Sequence, residues 1–273
     1  MPKPIVEADY SATEARTSFA VARIEPDPSR PSGRFLFLDG VECSYVDLAD
    51  PAHLEFQYIQ RLADLIELTT AEPLRVTHLG GGGFALPGFV AAVRKNSRQV
   101  VYEYDEGLIE LARRELGLKT SPGLRVKVGD AGEKMMRRAE ASADVIVGDA
   151  FVGKRVPRHL ATVEFLQQVR TVLRPGGIYG LNVIDAPPFP FARAEAASLL
   201  EVFEHVALMT DPDVVRARTS GNLVFAASTE PLPLAELRRR VSRGATPDQL
   251  LDRAELAAFA GSARALRDAP AGA

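Results

Sequence analysis

Cysteine is nearly absent from this chain. Cys43 is the only one among 273 residues, which excludes an internal disulfide framework and any multi-cysteine zinc site. Histidine is scarce as well. His53, His78, His159 and His205 are scattered without the spacing of a metal motif, so no metal is expected. No apolar run approaches the roughly 18 residues of a membrane span. The opening MPKPIVEADY lacks the apolar stretch of a signal peptide. Neither sign of charge dominates: 33 basic residues stand against 36 acidic ones, which leaves no electrostatic footprint for nucleic acid. What remains is an ordinary globular composition, 46% hydrophobic and 25% charged. The length suits one large domain, or one domain with a small appendage, and is enough to bury a core. The expectation is a soluble, reduced, cytoplasmic protein that touches neither membrane nor nucleic acid.

The first 50 residues read as β-structure. SFAVARI (18–24) and RFLFL (34–38) are rich in strand formers. Between them EPDPSRPSG reads as a loop. Asp39-Gly40 joins RFLFL to VECSYVDL, and an Asp-Gly pair between two such runs signals a hairpin. A helix follows over 51–68, with Leu54, Tyr58, Leu62, Leu65 and Ile66 at helical spacing and Asp50-Pro51 as its start. After Pro73 strands and helices alternate. LRVTHLG, QVVYEYD, LRVKVGD, ADVIVGD and IYGLNVI read as strands, with helices between them. This rhythm predicts a parallel sheet covered on both faces. HVALMT and NLVFAAS are two further strands, and LPLAELRRRV and TPDQLLDRAELAAFA read as terminal helices ahead of a frayed APAGA. The expected division is a β-domain over 1–50, an α/β domain with its leading helix over 51–230, and a helical extension over 231–273.

Four features at successive strand ends carry chemistry. Gly80, Gly81, Gly82 and Gly83 follow the first strand of the alternation, where a glycine turn lets backbone approach a ligand closely. Glu103 ends the next strand, the place from which an acid holds a ribose diol. Asp105 reads as a helix cap. Asp130, in Gly129-Asp130-Ala131, can accept from an adenine amino group or cap a helix. Asp149, in Gly148-Asp149-Ala150, ends the fourth strand. Three acids at three successive strand ends are far more specific than a glycine turn alone. Tyr104 can stack on the adenine or cover the sheet edge. Tyr58 can reach a substrate or pack the β-domain against the core. Cys43 reads as a half-buried strand residue with nothing to activate it.

This order resembles class I S-adenosylmethionine-dependent transferases, and within them the spermidine synthase family of polyamine aminopropyltransferases. Leu38-Asp39-Gly40, Glu55-Phe56-Gln57-Tyr58, the turn from Gly80, Glu103-Tyr104-Asp105, Gly129-Asp130 and Asp149-Ala150 carry the resemblance, which covers about residues 16 to 230. It implies a Rossmann-like α/β fold of the methyltransferase type with a small N-terminal antiparallel β-domain. It implies S-adenosylmethionine or its decarboxylated form as co-substrate, bound by Gly80, Gly81, Gly82, Glu103, Tyr104, Asp130 and Ala131. It implies a small-molecule acceptor met by Tyr58, with Asp149 helping to deprotonate the attacking amine, and it implies a homodimer.

The chain departs from the family pattern at several places. The family has an acid where Gly83 stands, and that acid separates the decarboxylated donor from the intact one. The family's second gate-loop acid is Val152 here, followed by Lys154 and Arg155. Ile59 and Cys43 replace glutamines. A dicationic diamine is therefore expected to bind poorly, unless Glu55 or Glu164 reaches the cleft. Alkyl transfer of the aminopropyl type is the first reading. A methyltransferase using intact S-adenosylmethionine is the second, and a non-catalytic nucleoside-binding or scaffold protein the third.

Overall fold

The computed structural model describes residues 12–243 and 246–269. The opening MPKPIVEADY and the last four residues of the APAGA tail lie outside them. Four strands begin the described chain: β1 Thr13–Arg16, β2 Val21–Asp27, β3 Arg30–Leu38 and β4 Val41–Asp47. They form one antiparallel sheet in sequence order. At the β3–β4 hairpin Asp39 and Gly40 both take positive φ, 48° and 78°, as a tight hairpin turn demands. The Asp39 carboxylate accepts from Val21 N at 2.9 Å and so ties that turn to β2. The segment EPDPSRPSG is not a long loop. β2 runs on to Asp27 and β3 begins at Arg30, because Asp27 closes the turn by accepting from both the backbone and the hydroxyl of Ser29. A register shift between Pro26 and Asp27 accommodates the proline that cannot donate. Strand β1, TEAR, has no run of strand formers and was not expected.

The second layer system contains α1 Gln57–Leu68, β5 Arg75–Leu79, α2 Ala85–Val93, β6 Arg98–Glu103, α3 Glu106–Glu115, β7 Leu124–Val128, α4 Ala131–Met136, β8 Ala143–Gly148, α5 Val163–Val172, β9 Leu173–Asp185, α6 Pro190–Val202, β10 His205–Thr210, α7 Pro212–Val215, β11 Gly221–Ser228, α8 Leu234–Val241, β12 Gln249–Leu251 and α9 Arg253–Ala260. Eight strands pair in the order β12-β10-β11-β9-β8-β5-β6-β7. The run from β9 to β7 is parallel as expected, but β11 is antiparallel to both its neighbours. The cause lies in residues 211–220, which are too few for a parallel crossover, so the chain turns back instead. Buried side chains of α1, α2, α3 and α8 pack on one face of the sheet, and those of α4, α5, α6 and α9 on the other. The sheet is thus mixed, with both faces covered.

Two expected helices start or divide differently. Asp50 and Pro51 form a turn in which Asp50 O accepts from His53 N, and α1 begins only at Gln57. TPDQLLDRAELAAFA is a strand and then a helix. Leu250 and Leu251 are buried where β12 pairs with β10, and Asp252 with Glu255 forms a capping box that starts α9. The C-terminal segment therefore supplies an edge strand to the main sheet. No helix among the described residues is long and apolar enough to cross a membrane.

Candidate active site

The carboxyl ends of β5, β6, β7 and β8 meet at the glycine turn. Gly80 has φ +97°, and a Cβ there would lie 2.9 Å from Asp149 C and 3.0 Å from Ala150 Cα. Only glycine lets the β5 turn approach the β8 loop so closely. The Gly80 amide donates to Tyr102 O and the Asp149 amide to Leu79 O, each at 2.9 Å, which locks the turn between its two neighbouring strands.

Glu103 sits at the end of β6, buried. One carboxylate oxygen accepts from Gly81 N at 2.8 Å and from Gly82 N at 3.4 Å. The other accepts from Asp105 N at 2.8 Å. The acid therefore holds the shape of the glycine turn. Asp105 caps α3 as expected, accepting from Leu108 N at 3.0 Å. Its same oxygen takes the Ser18 amide at 2.9 Å, docking the β1–β2 loop on the start of α3. In consequence the exposed Tyr104 ring lies 4.8 Å, centroid to centroid, from Phe19. Asp130 caps α4 through Glu133 N at 3.0 Å, and its second oxygen meets His159 Nε2 at 2.9 Å. Ala131 is buried at the first position of α4.

Asp149 and Tyr58 come together. Asp149 accepts from Asn182 Nδ2 at 2.9 Å. Burial raises its pKa to about 6, against the lowering effect of the Asn182 amide. The Tyr58 hydroxyl donates to Cys43 O at 3.3 Å. Burial raises the phenol's pKa, and the Asp149 charge adds to the rise. The Cys43 thiol donates to Leu36 O at 3.3 Å and is pushed up to about 12 by burial and then by Asp149. The thiol therefore stays protonated at neutral pH. Asn182 was missed in the sequence, although a lone amide inside the apolar strand IYGLNVI was its signal.

The departures also have structural accounts. A Cβ at Gly83 would lie 2.8 Å from Ser44 Cβ, so buried Ser44 of β4 fills the space into which an acid at 83 would project. Val152 is 74% exposed and closes a small turn with Arg155. Glu55 pairs with His53 at 2.9 Å. Glu164 accepts from the Asp268 amide at 3.1 Å. Neither lines the cleft beside Tyr58. That cleft, about 200 Å³, is lined instead by Met209, Asp211, Val214, Asn222, Val224 and Asp248, none of which belongs to a motif visible in the sequence. Asp248 is held by Arg61 Nε and Gln57 Nε2, both at 2.7 Å.

Together these groups place acids at the carboxyl ends of β6, β7 and β8, and burial raises the pKa of the last of them, Asp149, to about 6. No family model matches the chain. A crystal structure described as a probable spermidine synthase, from Corynebacterium glutamicum, superposes with a TM-score of 0.90 at 31% identity, covering 96% of this chain and 98% of that one. A polyamine aminopropyltransferase of Vibrio vulnificus is 29% identical over 194 residues, 70% of this chain and 62% of its own length. The chain thus spans about three fifths of that curated relative. Human methyltransferase-like protein 13, solved in complex with SAH, shares the fold, with a TM-score of 0.54 at 22% identity over 79% of this chain and 95% of that one. Strand order, strand-end acids and near full-length likeness agree: the chain belongs to the spermidine synthase family.

Proposed function

We propose that the protein transfers an aminopropyl group from decarboxylated S-adenosylmethionine to an amine. The observation that carries this reading is the buried Asp149 carboxylate, with its pKa near 6, set where the glycine turn touches the β8 loop. In this reading the glycine turn of Gly80, Gly81 and Gly82 admits the donor's tail. Glu103 meets the ribose hydroxyls, and Asp130 with Ala131 meets the adenine edge. Tyr104 flanks the ring, and Tyr58 faces the acceptor. Asp149 accepts a proton from the acceptor's ammonium. The freed lone pair attacks the aminopropyl carbon bonded to sulfur, and a C–N bond forms as the C–S bond breaks. The sulfur keeps the bonding pair and leaves as methylthioadenosine, and the new secondary ammonium carries the charge the sulfonium lost. A homodimer and a cytoplasmic setting belong to the same reading, by likeness to the family.

A second reading, methyl transfer from intact S-adenosylmethionine, is favoured by one observation. Ser44 fills the space beside Gly83, so no acid stands there to repel the donor's carboxylate. One experiment separates the two. Purified protein is offered each donor with a panel of amines, and the nucleoside product is identified. Methylthioadenosine formed only with an amine present supports aminopropyl transfer. S-adenosylhomocysteine supports methyl transfer and refutes the first reading.

A further inference from the structure

The loop that follows β8 and the cap of α4 meet at one side chain. Asp130 commits its two carboxylate oxygens to different elements: Oδ1 accepts from Glu133 N at 3.0 Å, and Oδ2 meets His159 Nε2 at 2.9 Å. An ionised carboxylate only accepts, so the imidazole Nε2 is the donor. His159 is itself held. It sits in a single 3-10 turn, Arg158–Leu160, closed by Leu160 N to Pro157 O at 2.9 Å and by Ala161 N to Arg158 O at 3.0 Å. Val156 and Leu160 are buried in the same apolar cluster as Ala131 and Met135 of α4. A Cβ on Gly132 would lie 2.9 Å from His159 Cδ2 and 3.2 Å from Leu160 Cδ2, so the turn packs on α4 through the space that this glycine leaves.

Two donors on opposite oxygens fix both the position and the plane of the Asp130 carboxylate. Each oxygen keeps a further lone pair, and the side chain is 28% exposed, so it stays open to a ligand. A carboxylate held in this way accepts from an amino group at the 6-position of a purine and repels an oxygen there. Rejection of the wrong base requires that the polar group cannot turn away from it. Without His159, Oδ1 would still cap α4, but Oδ2 would lose the contact that holds it in place. Resting on the reading that Asp130 meets the adenine edge, we infer that His159 is a positioning residue for donor binding: it fixes the Asp130 carboxylate as an acceptor and so makes the site selective for a 6-amino purine.

The test is calorimetric titration with methylthioadenosine and with methylthioinosine, its 6-oxo analogue, on the parent, Asp130→Asn, His159→Ala and His159→Gln. Asparagine keeps the cap of α4 and offers the base an amide in place of the carboxylate. Glutamine carries an Nε2 as many bonds from Cβ as the histidine Nε2 and restores the donor. The parent is expected to prefer methylthioadenosine, and Asp130→Asn to lose that preference. His159→Ala should weaken methylthioadenosine about fivefold, the scale of ordering one side chain on binding, with methylthioinosine no weaker, so the ratio of the two affinities falls. His159→Gln should recover most of the ratio. General loosening of the fold weakens both nucleosides alike, so a merely structural histidine would not move the ratio. A ratio unchanged in His159→Ala but lost in Asp130→Asn overturns the inference and leaves the adenine placement standing. Tighter methylthioadenosine binding by His159→Ala also overturns it, since the imidazole would then compete with the base for Oδ2. A ratio unchanged in Asp130→Asn, or a parent that binds neither nucleoside, refutes the placement of the donor and the inference with it.

Discussion

Asn182 Nδ2 donates to Asp149 Oδ1 at 2.9 Å, and this contact works against the burial that lifts the carboxyl's pKa. Burial raises the Asp149 pKa to about 6 and the amide holds it from rising further. A base must be unprotonated to act, so kcat/KM is expected to fall as the pH drops through about 6. Asn182→Ala removes the donor to the charged form and should move that acid limb upward. Asp149→Asn should reduce turnover by at least ~10²-fold, the usual scale of general base catalysis, while methylthioadenosine still binds. An acid limb that stays in place in Asn182→Ala would show that another group sets it.

Glu103 has two duties in the proposed site, and they can be separated. Its carboxylate already accepts from Gly81 N and Gly82 N, so Glu103→Ala loosens the glycine turn as well as removing the ribose partner. Methylthioadenosine affinity should fall by about 1–3 kcal/mol, the scale of hydrogen bonds to a charged group. Glu103→Gln presents one carbonyl oxygen where the carboxylate has two, so it should lose part of that affinity and keep the turn. Calorimetric titration of all three proteins checks the order. Equal binding by parent and Glu103→Ala would mean the nucleoside pocket lies elsewhere.

Much of this architecture was legible because local chemistry and global fold agree. The strand-end acids lie at period breaks that the sequence shows openly, and Asp105 could be assigned as a cap from its place before Glu106. The failures have physical causes. Pro26, Pro28 and Pro31 suggested a long loop, but Asp27 gathers the hydrogen bonds that close it to a tight turn. Leu250 and Leu251 fit a helix as well as a strand, and only the open edge of β10 decides between them. Asp211 and Asp248 belong to segments 37 residues apart in number and become neighbours only when β12 docks on β10. No spacing rule within a single sequence brings them together.

Gly83 and Ser44 should be treated as a pair. Gly83→Asp alone forces a side chain against Ser44 Cβ, and such overpacking typically costs about 1–3 kcal/mol. The variant is therefore expected to melt earlier than the parent and to bind both donors poorly. Adding Ser44→Gly removes the obstructing atoms. The double variant should recover stability and prefer the decarboxylated donor at least ~10-fold more than the parent does, since the new acid attracts its amine and repels the carboxylate of the intact donor. A single variant as stable as the parent would show that Ser44 yields easily. A double variant without a shifted preference would place the donor's tail away from residue 83.

Glu195 lies on α6 with no exposed surface, and neither carboxylate oxygen has a hydrogen-bond partner among the described residues. Burial drives its pKa well above the ordinary carboxyl range, so the folded protein keeps its proton where the unfolded chain has released it. Stability from this proton is complete below the unfolded pKa of about 4.3 and is lost progressively as the pH rises from there toward the folded pKa. Replacing the side chain with an apolar one of similar length removes both the buried polar group and this dependence. Glu195→Met is therefore expected to be more stable than the parent by about 1–3 kcal/mol at neutral pH. The advantage should grow between pH 5 and 8 as the parent weakens. Denaturant titrations across that range check both statements. A Glu195→Met variant less stable than the parent at every pH would show that the carboxyl group has a partner inside the core, with the buried Tyr179 nearby the first residue to examine.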